Sequence, residues 1–417
     1  MKILYIHQYF SLASGSDGLR SYKHALALRD AGYKVTIFCL KTDRCDCGLT
    51  SKFRNNIRSG EVEGINIIQF NINYSNKLDL IKRSLLFLKF SYLTLKESLK
   101  DNYQIVYATS TPLTIAIPGI LSKLLLRRKF VFEVRDQWPE LPYAMGLIKN
   151  KIIYKSLLFL EYIAYHSADI CIALAPGIVD GIKSKGVPIF KIKNIPNSCD
   201  LEIFKPLFNG RKKKPQLIKN DGLCFNSEDF VAVFTGAHGI ANGLDSVLDM
   251  AKVVKSKGYK DIKFLFIGDG KCKEHLIKRT LNEEISNCFF ISPVNKFELA
   301  EILRESINVG LMVLKNIKPF YRGTSPNKFF DYISSGLAVI NNYPGWLADL
   351  IDKYNIGIAV PPEDPFAFAE ALIFLYKNPL ELNKMSCNAR QVAEKYFSRE
   401  AQTEKLIDIF DNISYRM

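Results

Sequence analysis

The stretch Gly323-Thr-Ser-Pro-Asn-Lys-Phe-Phe-Asp-Tyr-Ile-Ser-Ser-Gly-Leu-Ala-Val-Ile340 anchors the interpretation of this 417-residue chain. It predicts a loop, a short helix and a strand. Pro326 suits the first turn of a helix, and a helix N-terminus offers N–H donors and a positive dipole end to a phosphate. Lys328 adds charge there, and Asp331 lies about one turn deeper, where it can accept hydrogen bonds from two adjacent hydroxyls. An ordinary helix cap explains the same stretch equally well.

Apolar strands alternate with helical patterns on both sides of this stretch. The first half runs from a strand at Ile3–Ile6 to one at Ile170–Leu174, and the second half from Val231–Thr235 to Val309–Met312. Such alternation predicts parallel sheets covered on both faces by helices. Because the chain exceeds the size of one core, we expect an α/β protein of two Rossmann-like domains whose strand carboxyl ends face a central cleft.

Composition narrows the class of protein. The chain is 48% hydrophobic and 24% charged, as globular proteins are. Nine scattered cysteines indicate reduced thiols in the cytoplasm, and no apolar run reaches the length of a membrane span. The net charge of +15 comes without a recognisable nucleic-acid motif. We therefore expect an anionic membrane surface or a glycan as the partner, and no nucleic acid.

Glycine-containing turns follow the first strand of each half. The first contains Gly15 and Gly18 and leads to Arg20, and the second, Phe234–Asp245, contains Gly236 and Gly239. Glycine permits close backbone approach, and the helix that follows each turn offers another N-terminus to a phosphate. Most such turns bind nothing, so each one alone is weak evidence.

Charged residues also end a strand at Phe132–Glu140. Arg135 and Asp136 follow the strand directly, with Trp138 two positions on. Buried charge is costly unless paired, so such a cluster either lines a binding site or forms an internal arginine–carboxylate pair. The residues alone leave both readings open.

Together these motifs resemble glycosyltransferase family four, which is retaining and has the GT-B fold, over nearly the whole chain. Glu133–Pro139 resembles the Glu-x-Arg-Asp-x-Trp-Pro motif of a bacterial branch that makes O-antigen and capsule. The segment around His238 is similar to that branch's Gly-Asn-His-Gly, and within the branch the chain resembles WbuB-like N-acetyl-L-fucosamine transferases. The resemblance implies a hexosyl or N-acetylhexosaminyl transfer from a UDP-sugar to a polyprenol-linked glycan. It implies no cofactor and no metal.

The resemblance also implies roles. Arg135, Asp136 and Lys328 are the expected catalytic residues, and Arg20 and Trp138 are expected on the acceptor side. The residues expected to bind the donor are Gly15, Gly18, Gly236, His238, Gly239, Asp269, Val294, Thr324, Ser325, Asn327 and Asp331.

Domain boundaries follow from the resemblance and from two prolines in the connector. We expect an acceptor-binding domain over residues 1–192, a linker over 193–206, a nucleotide-sugar-binding domain over 207–385 and closing helices over 386–417. The last helix is expected to pack back on the N-terminal domain, as in relatives of this fold.

Three departures from the family affect residues expected near the donor sugar and its phosphates. Gly323 replaces the first of two glutamates, and Ala237 and Asn242 replace an arginine and a lysine expected near the phosphates. A non-catalytic glycan- or membrane-binding protein on a degenerate GT-B scaffold is therefore an alternative. A sugar-nucleotide epimerase of the same fold is another.

One further helix, residues 78–100, combines an apolar stripe with lysines at seven-residue spacing. The stripe includes Leu85, Leu88 and Tyr92, and the lysines are Lys82, Lys89 and Lys96. Such a helix suits the anionic cytoplasmic face of the inner membrane. An ordinary surface helix with a solvated basic face is equally consistent with the pattern.

Overall fold

The computed structural model describes residues 1–12, 19–42, 46–74, 80–206, 217–218 and 223–415. The chain forms two compact units. Unit 1 consists of Met1–Pro196, Gly323–Ser325 and Glu400–Met417, and unit 2 consists of Asn197–Arg322 and Pro326–Arg399. Each unit has its own sheet and core.

Strands and helices alternate along most of unit 1, as the sequence predicts. Its strands are β1 (Lys2–Ile6), β2 (Lys34–Thr42), β3 (Ile57–Val62), β4 (Ile65–Tyr74), β5 (Ile105–Thr109), β6 (Lys129–Val134), β7 (Ile170–Ala173) and β8 (Ile192–Asn194). Its first helices are α1 (Arg20–Asp30), α2 (Leu80–Ser98), α3 (Ala116–Leu126), α4 (Glu140–Ala144), α5 (Lys151–Ser167) and α6 (Pro176–Ser184).

The sheet of unit 1 has the order β3-β4-β2-β1-β5-β6-β7-β8. Its strands run parallel except β3, which pairs antiparallel with β4. The expectation of a purely parallel sheet is wrong at this edge. Glu63 and Gly64 both have positive φ, at 49° and 74°, as a two-residue hairpin turn requires.

Unit 2 continues the alternation, and its described residues contain eight strands, six in one sheet and two in a separate pair. Its strands are β9 (Leu217–Ile218), β10 (Leu223–Cys224), β11 (Phe230–Thr235), β12 (Ile262–Ile267), β13 (Cys288–Ile291), β14 (Val309–Met312), β15 (Ala338–Asn341) and β16 (Gly357–Ala359). Its helices are α7 (Asp245–Ser256), α8 (Lys273–Asn282), α9 (Lys296–Ser306), α10 (Lys318–Gly323), α11 (Asn327–Ser334), α12 (Trp346–Tyr354), α13 (Pro365–Lys377) and α14 (Pro379–Tyr396); α15 (Arg399–Ser414) closes the chain.

The six-stranded sheet of unit 2 is parallel throughout, in the order β13-β12-β11-β14-β15-β16. This is the strand order of a dinucleotide-binding Rossmann sheet. β9 and β10 form a separate two-stranded antiparallel pair. Successive strands are added on one side of β11 as far as β13 and on its other side from β14 onward. Ligands are expected at such a switch point, at the carboxyl ends of β11 and β14.

The two cores are built from the inward sides of these elements. In unit 1, Leu406 and Phe410 of α15 join the core beneath β1 and β5, and the Tyr33 hydroxyl donates a hydrogen bond to Asp411 at 2.5 Å. In unit 2, residues of α7 and α13 pack on β11, β12 and β14. Within the described ranges, no helix is long and apolar enough to cross a bilayer.

Candidate functional site

Two glycine turns of unit 2 pack against each other at the carboxyl ends of β11 and β12. Gly236 has φ 120° and Gly268 has φ 150°. A Cβ at Gly268 would lie 1.9 Å from the carbonyl oxygen of Gly236, and one at Gly270 would lie 2.5 Å from that of His238. The glycines are therefore needed for close packing of the turns, which fixes the backbone that follows β11.

Lys328 lies beside the first of these turns. Its Nζ would be 3.7 Å from a Cβ at Gly236, lies 3.9 Å from the ring centroid of Phe234 and donates to Oδ1 of Asn242 at 3.1 Å. Burial lowers the pKa of Lys328 to about 7. In the part of the chain that the structure describes, no carboxylate forms an ion pair with it. An ammonium held by an aromatic face and one amide is available to an anion.

The N-terminus of α11 lies one residue before Lys328 in the chain. Pro326 is its N-cap and has no side-chain cap hydrogen bond, so the first N–H groups of the helix are not capped by that side chain. A helix N-terminus favours an anion. Lys328 and this helix start are thus consecutive in sequence and complementary to the same charge.

His238 is fully buried between the turns and three aromatic rings. Its ring lies 6.1 Å from that of Phe234 and 6.2 Å from those of Phe266 and Phe290, measured between centroids. Neither ring nitrogen has a hydrogen-bond partner among the described residues. Burial and the Lys273 charge lower its pKa to about 4, so the imidazole is neutral at pH 7.

Asp331 has a partner that the sequence did not indicate. Oδ2 accepts from Lys296 Nζ at 2.6 Å, and Lys296 also lies over the ring of Phe204. Burial raises the pKa of the Asp331 carboxyl, and the Lys296 charge opposes that shift. Asp331 is 8% exposed. Because Oδ2 already accepts from Lys296, one of its two carboxylate oxygens is used within unit 2.

The other predicted donor residues have varied surroundings. Asp269 is exposed; its carbonyl oxygen accepts from the His238 N–H and its Oδ1 from the Gly270 N–H. Val294 directly precedes Asn295, the N-cap of α9. Thr324 and Ser325 are buried and group with unit 1, whereas Asn327 is the exposed first residue of α11. Gly239 precedes a single 3-10 turn, Ile240–Asn242.

In unit 1, Arg20 forms an internal ion pair with Glu133. Its Nε and Nη2 donate to Oε2 of Glu133 at 3.0 and 2.9 Å, and its remaining bonds go to the carbonyl oxygens of Ile195 and Pro196. Tyr107 also donates to this carboxylate. Burial alone would raise the pKa of Glu133, but the nearby positive charges hold it below its usual range. The Phe132–Glu140 segment thus takes part in an internal arginine–carboxylate pair, but the arginine is Arg20 from a distant motif and not Arg135.

Arg135 and Asp136 follow β6 at the carboxyl edge of the same sheet. Arg135 Nη1 lies 3.2 Å from Nε2 of His7, directly after β1, and its N–H donates to Ser110 after β5. Since arginine can only donate, Nε2 of His7 is the acceptor. Burial and the Arg135 charge lower the pKa of His7 to about 3.

Asp136 is the carboxylate of this group. Its Oδ2 accepts from the Thr111 hydroxyl at 3.2 Å, and burial raises the pKa of the carboxyl. The carbonyl oxygen of Asp136 accepts from the Trp138 N–H at 3.0 Å. Asp136 is therefore fixed at both its side chain and its backbone.

Some predicted residues lie outside the described ranges, and some site residues were not predicted. Gly15 and Gly18 fall in the range 13–18, which the structure does not describe. His7 and Gln8, both buried beyond β1, were missed; both side-chain polar atoms of Gln8 lack a partner among the described residues. The sequence could have indicated His7 and Gln8, because they are the first polar residues after the first strand.

No group of three or more His, Cys, Asp or Glu in the described ranges is placed to hold a metal ion.

The chain resembles known proteins in part of its sequence and in its fold. Residues 219–392 match the family described as Glycosyl transferases group 1, and no curated protein matches the chain. Sucrose-phosphate synthase from Thermosynechococcus elongatus has a similar structure, with TM-score 0.74, 16% identity and all of both chains covered. Anabaena HepE in complex with UDP-glucose gives 0.67 and 13%, over 99% of this chain and 100% of that one. WaaG, a glycosyltransferase involved in lipopolysaccharide biosynthesis, gives 0.69 and 14%, over 98% of each.

These structures are GT-B glycosyltransferases, and at such low identity they establish the fold alone. The predicted fold class is confirmed. The chain has the GT-B fold, and residues 219–392, almost all of them within unit 2, are similar to the glycosyl transferases group 1 family.

Proposed function

We propose that the protein is a retaining glycosyltransferase whose unit 2 binds a nucleotide diphosphate sugar, UDP-linked. The observation that carries this proposal is the position of Lys328. Its ammonium lies beside the glycine turn after β11, and Lys328 is itself the second residue of α11; no carboxylate pairs with it among the described residues. A diphosphate supplies the missing negative charge.

The same arrangement compensates for the departures from the family. Asn242 replaces the expected lysine, and its amide oxygen accepts from Lys328. Lys328 is thereby held at the glycine turn, so a cation is present there although the usual ones are missing. HepE, which has the same fold, is described in complex with UDP-glucose, which supports UDP as the nucleotide.

The chemistry required of this site is electrostatic. When the bond between the anomeric carbon and the diphosphate oxygen breaks, the electron pair leaves with the diphosphate. Lys328 and the N–H groups of α11 stabilise that developing charge. The acceptor hydroxyl bonds to the anomeric carbon on the same face, and its proton passes to an oxygen of the departing diphosphate. Neither a metal nor a cofactor has a part in this scheme.

The acceptor assignment extends the proposal. We assign the transferred sugar to the N-acetylhexosamines, N-acetyl-L-fucosamine included, and the acceptor to a polyprenol-linked glycan of O-antigen or capsule synthesis at the cytoplasmic face of the inner membrane. WaaG, with the same fold, is described as acting in lipopolysaccharide biosynthesis. In unit 1, we assign catalytic roles to Arg135 and Asp136 and a place on the acceptor side to Trp138.

A donor screen by ligand-detected NMR tests this function. UDP-sugars, GDP-sugars and the free nucleotides are each added to wild-type protein and to the Lys328→Met variant. We expect saturation transfer to UDP and to at least one UDP-sugar, reduced in the variant. Absence of any nucleotide signal at millimolar concentration would favour the non-catalytic binding protein. Conversion of a UDP-sugar without an acceptor would indicate an epimerase.

A further inference from the structure

Three neighbouring helices of unit 1 expose large apolar side chains. Helix α2 packs against α3, and α3 packs against α5, so the three form one layer. Leu85 and Tyr92 of α2 are 61% and 64% exposed, and Ile152 and Phe159 of α5 are 75% and 66% exposed. Leu124 and Leu125 of α3 are exposed as well. We call this surface of α2, α3 and α5 the apolar face; exposed patches of this kind mark interaction sites.

The orientation of α2 shows that the exposure is not a by-product of ordinary packing. A surface helix normally buries its apolar stripe. In α2, Ser91, Thr94 and Ser98 are buried beside Phe90, and the Ser91 hydroxyl donates to the carbonyl oxygen of Thr114. The stripe with Leu85, Leu88 and Tyr92 is exposed instead. Leu78 and the side chain of Ile81, which the sequence placed on this stripe, lie outside the described part of the chain.

Positive charge accompanies the apolar face. The exposed lysines of these helices are Lys82, Lys89, Lys96, Lys151 and Lys155.

The acidic residues of the same helices are already neutralised. α2, α3 and α5 contain two acidic residues, Glu97 and Glu161. Glu97 pairs with Lys100 at 2.7 Å, and Glu161 pairs with Lys185. The net field of the layer is therefore positive.

The geometry points to an anionic phospholipid bilayer as the partner of the apolar face. Leucine, isoleucine, phenylalanine and tyrosine side chains enter the interface, while lysines beside them meet phosphate headgroups. A second copy of this chain is disfavoured, because joining two such faces would bring like charges together. A neutral apolar partner protein would offer no negative charge to the positive field of this layer. This inference uses a surface distinct from the nucleotide site and does not depend on the proposed function.

Vesicle flotation of the full chain tests the inference. Vesicles of phosphatidylcholine with about one-third phosphatidylglycerol are compared with phosphatidylcholine alone. We expect binding to the anionic vesicles that falls as salt rises. The variant Leu85→Gln/Leu88→Gln/Tyr92→Gln and the variant Lys82→Glu/Lys89→Glu/Lys96→Glu should each lose about ten-fold or more of that binding.

Matched controls come from unit 2. Leu281→Gln/Phe366→Gln/Leu380→Gln changes three exposed apolar residues on three separate helices, and Lys278→Glu/Lys384→Glu/Lys395→Glu changes three exposed lysines. Both should bind vesicles like wild type, and all variants should keep wild-type circular dichroism and UDP binding. Equal flotation of the face variants and their controls would overturn the inference. So would a wild-type dimer in light scattering that the glutamine variant of the face abolishes.

Discussion

The two units use a cation at the edge of a sheet in opposite ways: Arg20 of unit 1 is buried, and Lys328 of unit 2 is partly buried. In unit 1, Arg20 makes its hydrogen bonds to Glu133 and two backbone carbonyls. In unit 2, Lys328 lies at the equivalent edge of a Rossmann sheet, where it contacts the ring of Phe234 and the side-chain amide of Asn242. A charge that is fully paired stabilises a scaffold, whereas one left without a counter-charge costs stability and is kept for a ligand. The difference separates structural from binding residues at sites that look alike in sequence.

Removing the paired cation of unit 1 should cost the most stability. Arg20→Met leaves the Glu133 carboxylate buried without its cation, so we expect the free energy of unfolding to fall by about 3–5 kcal/mol. Denaturant titration measures it. Arg20→Met/Glu133→Gln should recover part of the loss, because the uncompensated charge is gone. A stable Arg20→Met protein that has lost activity would instead return Arg20 to the acceptor site.

On the side of unit 2, Lys328→Met should reduce kcat/KM by about 10²–10³, as expected when a group that stabilises leaving charge is removed. Its thermal stability should stay level or rise. The folded-state pKa of about 7 lies below the usual 10.5, so the charge penalty is fully present below pH 7 and disappears as the pH approaches 10.5. Steady-state kinetics and calorimetry on one preparation measure both. Parallel losses of activity and stability would contradict the assignment.

Asp331 combines the two behaviours, because one of its oxygens is paired with Lys296 and the other is expected to bind the ribose of the donor. UDP and 2′,3′-dideoxy-UDP are titrated into wild type and Asp331→Ala. If the free carboxylate oxygen accepts from the diol, wild type should prefer UDP by about 1.5–3 kcal/mol, and the variant should bind the two alike. An unchanged preference in Asp331→Ala would make Asp331 a purely structural partner of Lys296.

The affinity for a UDP-sugar should also change with pH, by a smaller amount. A UDP-sugar carries a diphosphate without a terminal phosphate, so its charge is constant near neutral pH. Below pH 7, Lys328 is charged and binds it without proton uptake; above pH 7, binding must first protonate the amine. We expect affinity to fall by up to about ten-fold per pH unit above 7, or about 1.4 kcal/mol. Lys328→Met should flatten this profile in calorimetry at several pH values, and a wild-type profile as flat as the variant's would argue against Lys328.

Most of the fold was predictable because it is local. The apolar run Val231–Thr235 predicted β11, observed at Phe230–Thr235, since parallel strands buried on both faces are continuously apolar. β3, with the sequence Ile-Arg-Ser-Gly-Glu-Val, was missed because its side chains do not alternate. It exists as the edge partner of β4.

The sequence indicated many of the residues of the candidate site, but it did not indicate which residues they contact. Both Arg20 and Lys328 are associated with glycine turns in the sequence, but the partner of Arg20 is 113 positions away. Lys296, which pairs with Asp331, is likewise distant in the chain. The stripe of α2 was recognised from its spacing, whereas the side that faces the core depended on Thr114 and other residues of the neighbouring segment. Long-range contacts decide such questions, and periodicity does not contain them.

The most direct test of the central claim compares UDP with uridine by isothermal titration, in wild type, Lys328→Met and the exposed-lysine control Lys278→Met. If the glycine turns, α11 and Lys328 bind a diphosphate, wild type and the control should bind UDP at least ten-fold more tightly than uridine, and Lys328→Met should lose most of that difference. Equal affinity of the wild type for UDP and uridine, or no UDP binding at millimolar concentration, would contradict the claim.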